Sequence, residues 1–178
     1  MGRRDDEAFV EFAEASRSRL RRTAYLMCGD WERASDIVQE ALIRVYVAWP
    51  RLERSGGLAA YARRTVVNVA IDMSRRRSSS ELPGPVPDGE GSGRDLAGSV
   101  SDRQALLGAM ARLPQRQRAC VVLRYFEDLP VGEVAALLGC SEGTVKSQTS
   151  RALTSLRSMF EAEVDDELVV SGEAGQAW

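Results

Sequence analysis

Histidine is absent from this 178-residue chain, and cysteine is scarce. The three thiols, Cys28, Cys120 and Cys140, lie far apart with no C-x-x-C pair, so neither a zinc site nor a disulfide framework is expected. Each reads as a small buried hydrophobe, with Cys140 placed in a turn where exposure is possible. Without histidine, metal-ligand spacing or a nucleophile motif, an enzyme has little support, and no catalytic residue, metal or cofactor is assigned. Aromatics make up only 6% of the chain against 44% hydrophobic residues, a balance suited to helices packed through aliphatic side chains. Nowhere do ~18 apolar residues run together, and no hydrophobic segment follows the arginines of MGRRDDEAF. Neither a membrane span nor a signal peptide is expected, and the expected location is the cytoplasm.

The formal net charge of −2 conceals an alternation along the chain. Residues 1–78 carry 15 arginines against 11 acids, residues 79–101 are acidic, residues 102–160 carry eight bases against five acids, and residues 161–178 carry six acids and no base. Two basic bodies separated by an acidic linker and followed by an acidic tail fit a protein that meets nucleic acid with two modules. Acidic loops that merely keep the protein soluble would give the same pattern.

The most informative stretch is PVGEVAALLGCSEGTVKSQTSRALTSLR, Pro130–Arg157. A short apolar helix carrying Val131, Val134, Ala135, Leu137 and Leu138 breaks at Gly139-Cys140-Ser141 and resumes near Glu142, the pattern of a helix-turn-helix. Gly139 suits the left-handed residue that closes the first helix, and the Ser141 hydroxyl suits the cap of the second. Val145, Thr149, Ala152 and Leu156 recur at spacings of four, three and four and form the inward face. Lys146, Ser147, Ser150, Arg151 and Thr154 form the opposite face, polar, short and basic, as a helix entering a major groove requires. An ordinary helical hairpin with a solvated face would look similar.

Elsewhere the chain reads as further helices. Asp5–Met27 places Phe9, Phe12, Ala13, Leu20, Ala24 and Met27 near one side and stops at Cys28-Gly29-Asp30. Asp30 caps a second helix ending at Trp49-Pro50, with Ile37, Val38, Ala41, Leu42, Val45 and Tyr46 inside and Arg33, Asp36, Gln39, Glu40 and Arg44 outside. Arg51–Gly57 reads as a loop, followed by a helix from Leu58 to about Arg76. There Val66, Val67, Ala70, Ile71 and Met73 supply core, and Arg64, Asn68, Asp72, Arg75 and Arg76 an outer face. Asparagine is mildly unfavourable inside a helix, so Asn68 invites a functional reason, although a local hydrogen bond would also account for it. Residues 79–101 read as a flexible Ser/Pro/Gly-rich linker. Helices then follow over Asp102–Leu113 and Gln115–Phe126, the second with Ala119–Leu123 buried and Arg116, Arg118 and Arg124 outside, and the tail beyond Phe160 is expected to be loosely ordered. The fold class is all-α, with small helical domains at 1–78 and 102–160, the second containing the helix-turn-helix.

Three segments in this order carry a family resemblance. Asp36-Ile37-Val38-Gln39-Glu40 is similar to the core-binding segment, and Asn68-Val69-Ala70-Ile71-Asp72 to the promoter −10 segment, of the extracytoplasmic-function sigma factors of bacterial RNA polymerase. LPQRQRACVVLRYFEDLPVGEVAALLGCSEGTVKSQTSRAL resembles the domain of that family that reads the −35 element, and actinobacterial members look most alike. The resemblance implies that Asp36, Gln39 and Glu40 dock on the clamp helices of the largest polymerase subunit and that the second domain meets the flap of the second-largest subunit. It implies that the Arg51–Gly57 segment, Arg64, Asn68, Asp72, Arg75 and Arg76 engage the opened −10 element, where A·T-rich steps unstack for a few kcal/mol. It also implies that Lys146, Ser147, Gln148, Ser150 and Arg151 face the −35 major groove. Promoter DNA and polymerase core are the implied partners, an anti-sigma protein is a further one the family allows, and the implied location is the nucleoid.

Two other readings predict different behaviour. A helix-turn-helix regulator independent of polymerase would explain Pro130–Arg157 but leave Asp36–Glu40 and Asn68–Asp72 without purpose, and it need not bind core. GCSEGTVKS resembles a phosphate loop superficially, yet Thr144-Val145 stand where Gly-Lys is required.

Overall fold

Chain direction is set by short, locally coded stops. Helix α1 (Arg3–Cys28) ends at Gly29, whose φ of 75° no β-carbon opposes and whose N–H bonds the Tyr25 carbonyl at 2.7 Å. Asp30 Oδ1 then accepts the Arg33 N–H at 2.9 Å and caps α2 (Trp31–Ser55), as its sequence position leads one to expect. Helix α3 (Leu58–Ser78) opens from Gly57, at φ 82°. The computed structural model describes residues 3–55, 57–78 and 100–173, and the elements among them are all helices. The linker expected at 79–101 lies almost wholly outside the described residues.

The first three helices pack on one another through most of the expected stripes, with Val69 buried in addition and Leu42, Ile71 and Met73 only half-buried. Leu20, Ala24 and Met27 of α1 meet Ile37, Val38, Ala41, Val45 and Trp49 of α2 and Val66, Val67, Val69 and Ala70 of α3, all buried. Helix α2 does not stop at Pro50, as the sequence reading has it, but runs through it to Ser55. The missing N–H of an interior proline costs ~3 kcal/mol. Against that cost stands Trp49, 2% exposed and packed against the rings of Phe9 and Phe12 at 5.3 and 5.5 Å. Its burial contributes on the order of 3 kcal/mol. The expected Arg51–Gly57 loop is therefore mostly the last turn of α2. Tyr46, expected inside, is 37% exposed; its ring rests edge-on against Phe9 and its hydroxyl donates to Asp6.

The second group begins with α4 (Val100–Arg112), two residues before the expected start, and α5 (Gln115–Val121). The helix expected to reach Phe126 instead widens into a π turn over Val122–Phe126. The widening follows from its closing bonds: Glu127 N–H to the Val122 carbonyl and Leu129 N–H to the Leu123 carbonyl, both at 3.0 Å, with the Arg124 guanidinium donating to the Leu129 carbonyl. Asp128 completes the turn at φ 51°. Helix α6 (Val131–Leu138) ends on Gly139 at φ 62°, ψ 43°, and Ser141 Oγ accepts the Thr144 N–H at 3.1 Å to cap α7 (Glu142–Glu173). Both capping expectations hold. Helix α7 continues past Phe160 into the segment expected to be loose, where neither proline nor glycine precedes Gly172 to stop it.

The two groups touch: α1 meets α4, α5 and the π turn, and α3 meets α5 and α6. Arg118, expected outside, is 7% exposed because it lies in this contact. Its Nη1 donates to the Met27 carbonyl at 2.8 Å, joined by Gln115 Nε2 at 3.3 Å, at the negative end of α1. Burial pulls its pKa down to about 10. Burial likewise pushes the thiols of Cys28 and Cys120 up to about 11, which leaves them protonated and unreactive near neutrality.

Candidate nucleic-acid and partner interfaces

Helix α7 divides as its period requires. Val145 and Ala152 are fully buried and Leu156 nearly so, while Lys146, Ser147, Ser150, Arg151 and Thr154 are exposed. Thr149, on the inward stripe, is half-buried with its hydroxyl shielded from solvent. The Ser147 hydroxyl donates to the Thr144 carbonyl at 3.0 Å and that of Thr154 to Ser150 at 3.1 Å, which keeps these side chains short against the backbone. A helix so trimmed can approach a groove floor closely, with Lys146 and Arg151 left to reach phosphates or base edges. Gln148, placed with these residues by the resemblance, is half-buried instead.

On α2, Asp36 and Gln39 are exposed, and Glu40 is half-exposed and paired with Arg44 at 2.9 Å. Two residues that sequence reasoning missed extend this stripe: Ile43 is 60% exposed and Val47 76%. Positions 36, 39, 40, 43 and 47 fall at spacings of three and four and share one face. The signal was present in the sequence as apolar residues off the buried period, but it has no meaning until the opposite face is known to be full. On α3, Arg64, Arg75 and Arg76 are exposed and Asn68 and Asp72 half-buried.

The structure brings together residues that the sequence assigns to separate modules. Asn68, Asp72 and Arg75 of α3 and Arg44 of α2 line a cavity of about 360 Å³ with Thr144 and Gln148 of α7. Arg64, Arg76, Lys146, Ser147, Ser150 and Arg151 stay outside it. A second cleft, about 530 Å³, lies between Asp36, Arg33 and Arg75 on one side and Gln115 and Arg118 on the other. Neither space admits a nucleic-acid duplex.

Comparison with known proteins places the chain in a family. Residues 12–80 match Sigma-70 region 2 and residues 103–156 match Sigma-70, region 4. The RNA polymerase sigma-E factor of Streptomyces avermitilis is 36% identical over 155 residues, covering 86% of each chain. The chain belongs to the extracytoplasmic-function sigma factors. The ECF RNA polymerase sigma factor SigL of Mycobacterium tuberculosis is 33% identical over 145 residues, 78% of this chain and 80% of that protein. In fold, the sigma factor RpoE of Bartonella quintana, solved in complex with the anti-sigma factor NepR, superposes with a TM-score of 0.72 at 23% identity, over 87% of this chain and 98% of that one. As a sigma factor of this class the protein directs promoter-specific transcription initiation by RNA polymerase.

Proposed function

We propose how the work is divided within the chain. Asp36, Gln39 and Glu40, extended by Ile43 and Val47, dock on the clamp helices of the largest polymerase subunit, and the α4–α7 body also meets the flap of the second-largest. Arg64, Asn68, Asp72, Arg75 and Arg76, with the turn before α3, engage the opened −10 strand. Lys146, Ser147, Gln148, Ser150 and Arg151 read the −35 groove. Domain limits near residue 78 and residue 102 follow from this division, with residues 79–101 as the tether. Catalysis then belongs to the polymerase, and the site of action is the cytoplasmic nucleoid. The solved Bartonella relative is held by an anti-sigma factor, and a partner of that class is proposed here too.

The observation that carries the reading is the split of α7 into a closed inner stripe and an exposed, short, basic outer face. The test separates its two halves. Arg151→Ala removes one groove contact, worth about 1–3 kcal/mol or roughly 5- to 150-fold. Transcription from the cognate promoter is expected to fall by that factor with capture of core polymerase unchanged. Asp36→Ala with Glu40→Ala is expected to do the reverse, weakening capture of core first. Equal loss of both activities in both variants contradicts the division.

A further inference from the structure

Glu127 ends the π turn and is followed by the left-handed Asp128, so the turn pushes its carboxylate out of the second helical body and into the first. There its side chain is 6% exposed. Arg19 reaches Oε2 through Nη2 at 2.8 Å and Nε at 3.1 Å, Arg63 reaches the same oxygen through Nε at 3.2 Å, and the Thr23 hydroxyl donates to Oε1. Thr23 and Arg63 are themselves 2% and, by side chain, 13% exposed. Arg19 and Arg63 line a cavity of about 190 Å³ with Ser16, Ala59 and Ala62. Among the described residues, the carboxylate these two arginines meet comes from the other body.

Two guanidiniums and a hydroxyl held against one oxygen pair form an anion site, with the Arg19 carbonyl at 3.1 Å as the other acceptor within reach of the Thr23 hydroxyl. Guanidinium forks match phosphate oxygens as well as carboxylates. The site is on α1 and α3, and Arg63 adjoins Arg64 of the proposed −10 surface. Resting on the reading above, we infer that Arg19, Thr23 and Arg63 form a binding site for a backbone phosphate of promoter DNA, and that Glu127 occupies it as an internal anion while the bodies are closed. DNA and the second body thus compete for one site. The same closure sets Asn68 and Asp72 of the first body and Gln148 of the second around one cavity.

The experiment uses the full chain and a fluorescein-labelled, A·T-rich single-stranded DNA followed by anisotropy across a salt series. Glu127→Gln keeps the shape and removes the charge. It is expected to raise affinity at low salt several-fold and to steepen log K against log salt by about 0.7, the share of one phosphate on a single strand. Arg63→Ala or Arg19→Ala in the Glu127→Gln background is expected to return both affinity and slope to the starting values. Arg19 is 64% exposed by side chain, so its variant retains the fold even where that of Arg63 does not. Unchanged affinity and slope in Glu127→Gln, or a gain that survives both arginine substitutions, overturns the inference. Capture of core polymerase by the unsubstituted chain is measured alongside. Its failure overturns the docking reading, whereas retained capture with unmoved DNA binding overturns this site alone.

Discussion

Gly139 and Gly108 place opposite demands on the backbone although both have open space around a would-be β-carbon. Gly139 sits at φ +62°, where a side chain costs about 1–2 kcal/mol, while Gly108 lies inside α4, where alanine gains roughly 0.5–1 kcal/mol. At ~2–4 °C per kcal/mol for a chain of this size, Gly139→Ala is expected to lower the thermal midpoint by several degrees and Gly108→Ala to raise it slightly. Shifts of the same sign in thermal melts would contradict the capping account. Gly139, Ser141 and Asp30 were legible in the sequence because each acts within four residues of itself. Arg118 and Glu127 were not, since the Arg118 partner Met27 stands 91 residues away and the Glu127 partners 64 to 108 away, and nothing local marks a charged side chain for burial.

At the scale of the element, periodicity found the faces and misplaced some ends. The stripes of α2, α3 and α7 could be read because 3.6-residue spacing is imposed by the helix itself. Pro50 reads as a stop because an interior proline is costly, and the structure overrides it with the packing of Trp49. Pro50→Ala is expected to relieve that cost and raise stability by about 1–3 kcal/mol, visible as a higher denaturation midpoint. A lower midpoint would mean that the Pro50 ring itself stabilises the helix there. The π turn of Val122–Phe126 was invisible to period analysis, because its extra width is set by bonds to Glu127 and Leu129 rather than by composition. That same width aims Glu127 at α1 and α3.

Over the whole molecule, two basic helical bodies of one chain meet through Glu127 on one side and Arg118 on the other. Most of the helices and their order could be read from the sequence, but not the contact between the two groups, which depends on surfaces that come together only in three dimensions. Closed in this way the chain offers DNA only part of its basic surface. The most direct measurement is to transcribe genomic DNA with purified core polymerase, with and without this chain, and to sequence the 5′ ends of the transcripts. The account predicts a new set of starts, present only with the chain and sharing two upstream sequence elements at a fixed spacing. Identical starts in both reactions would contradict it.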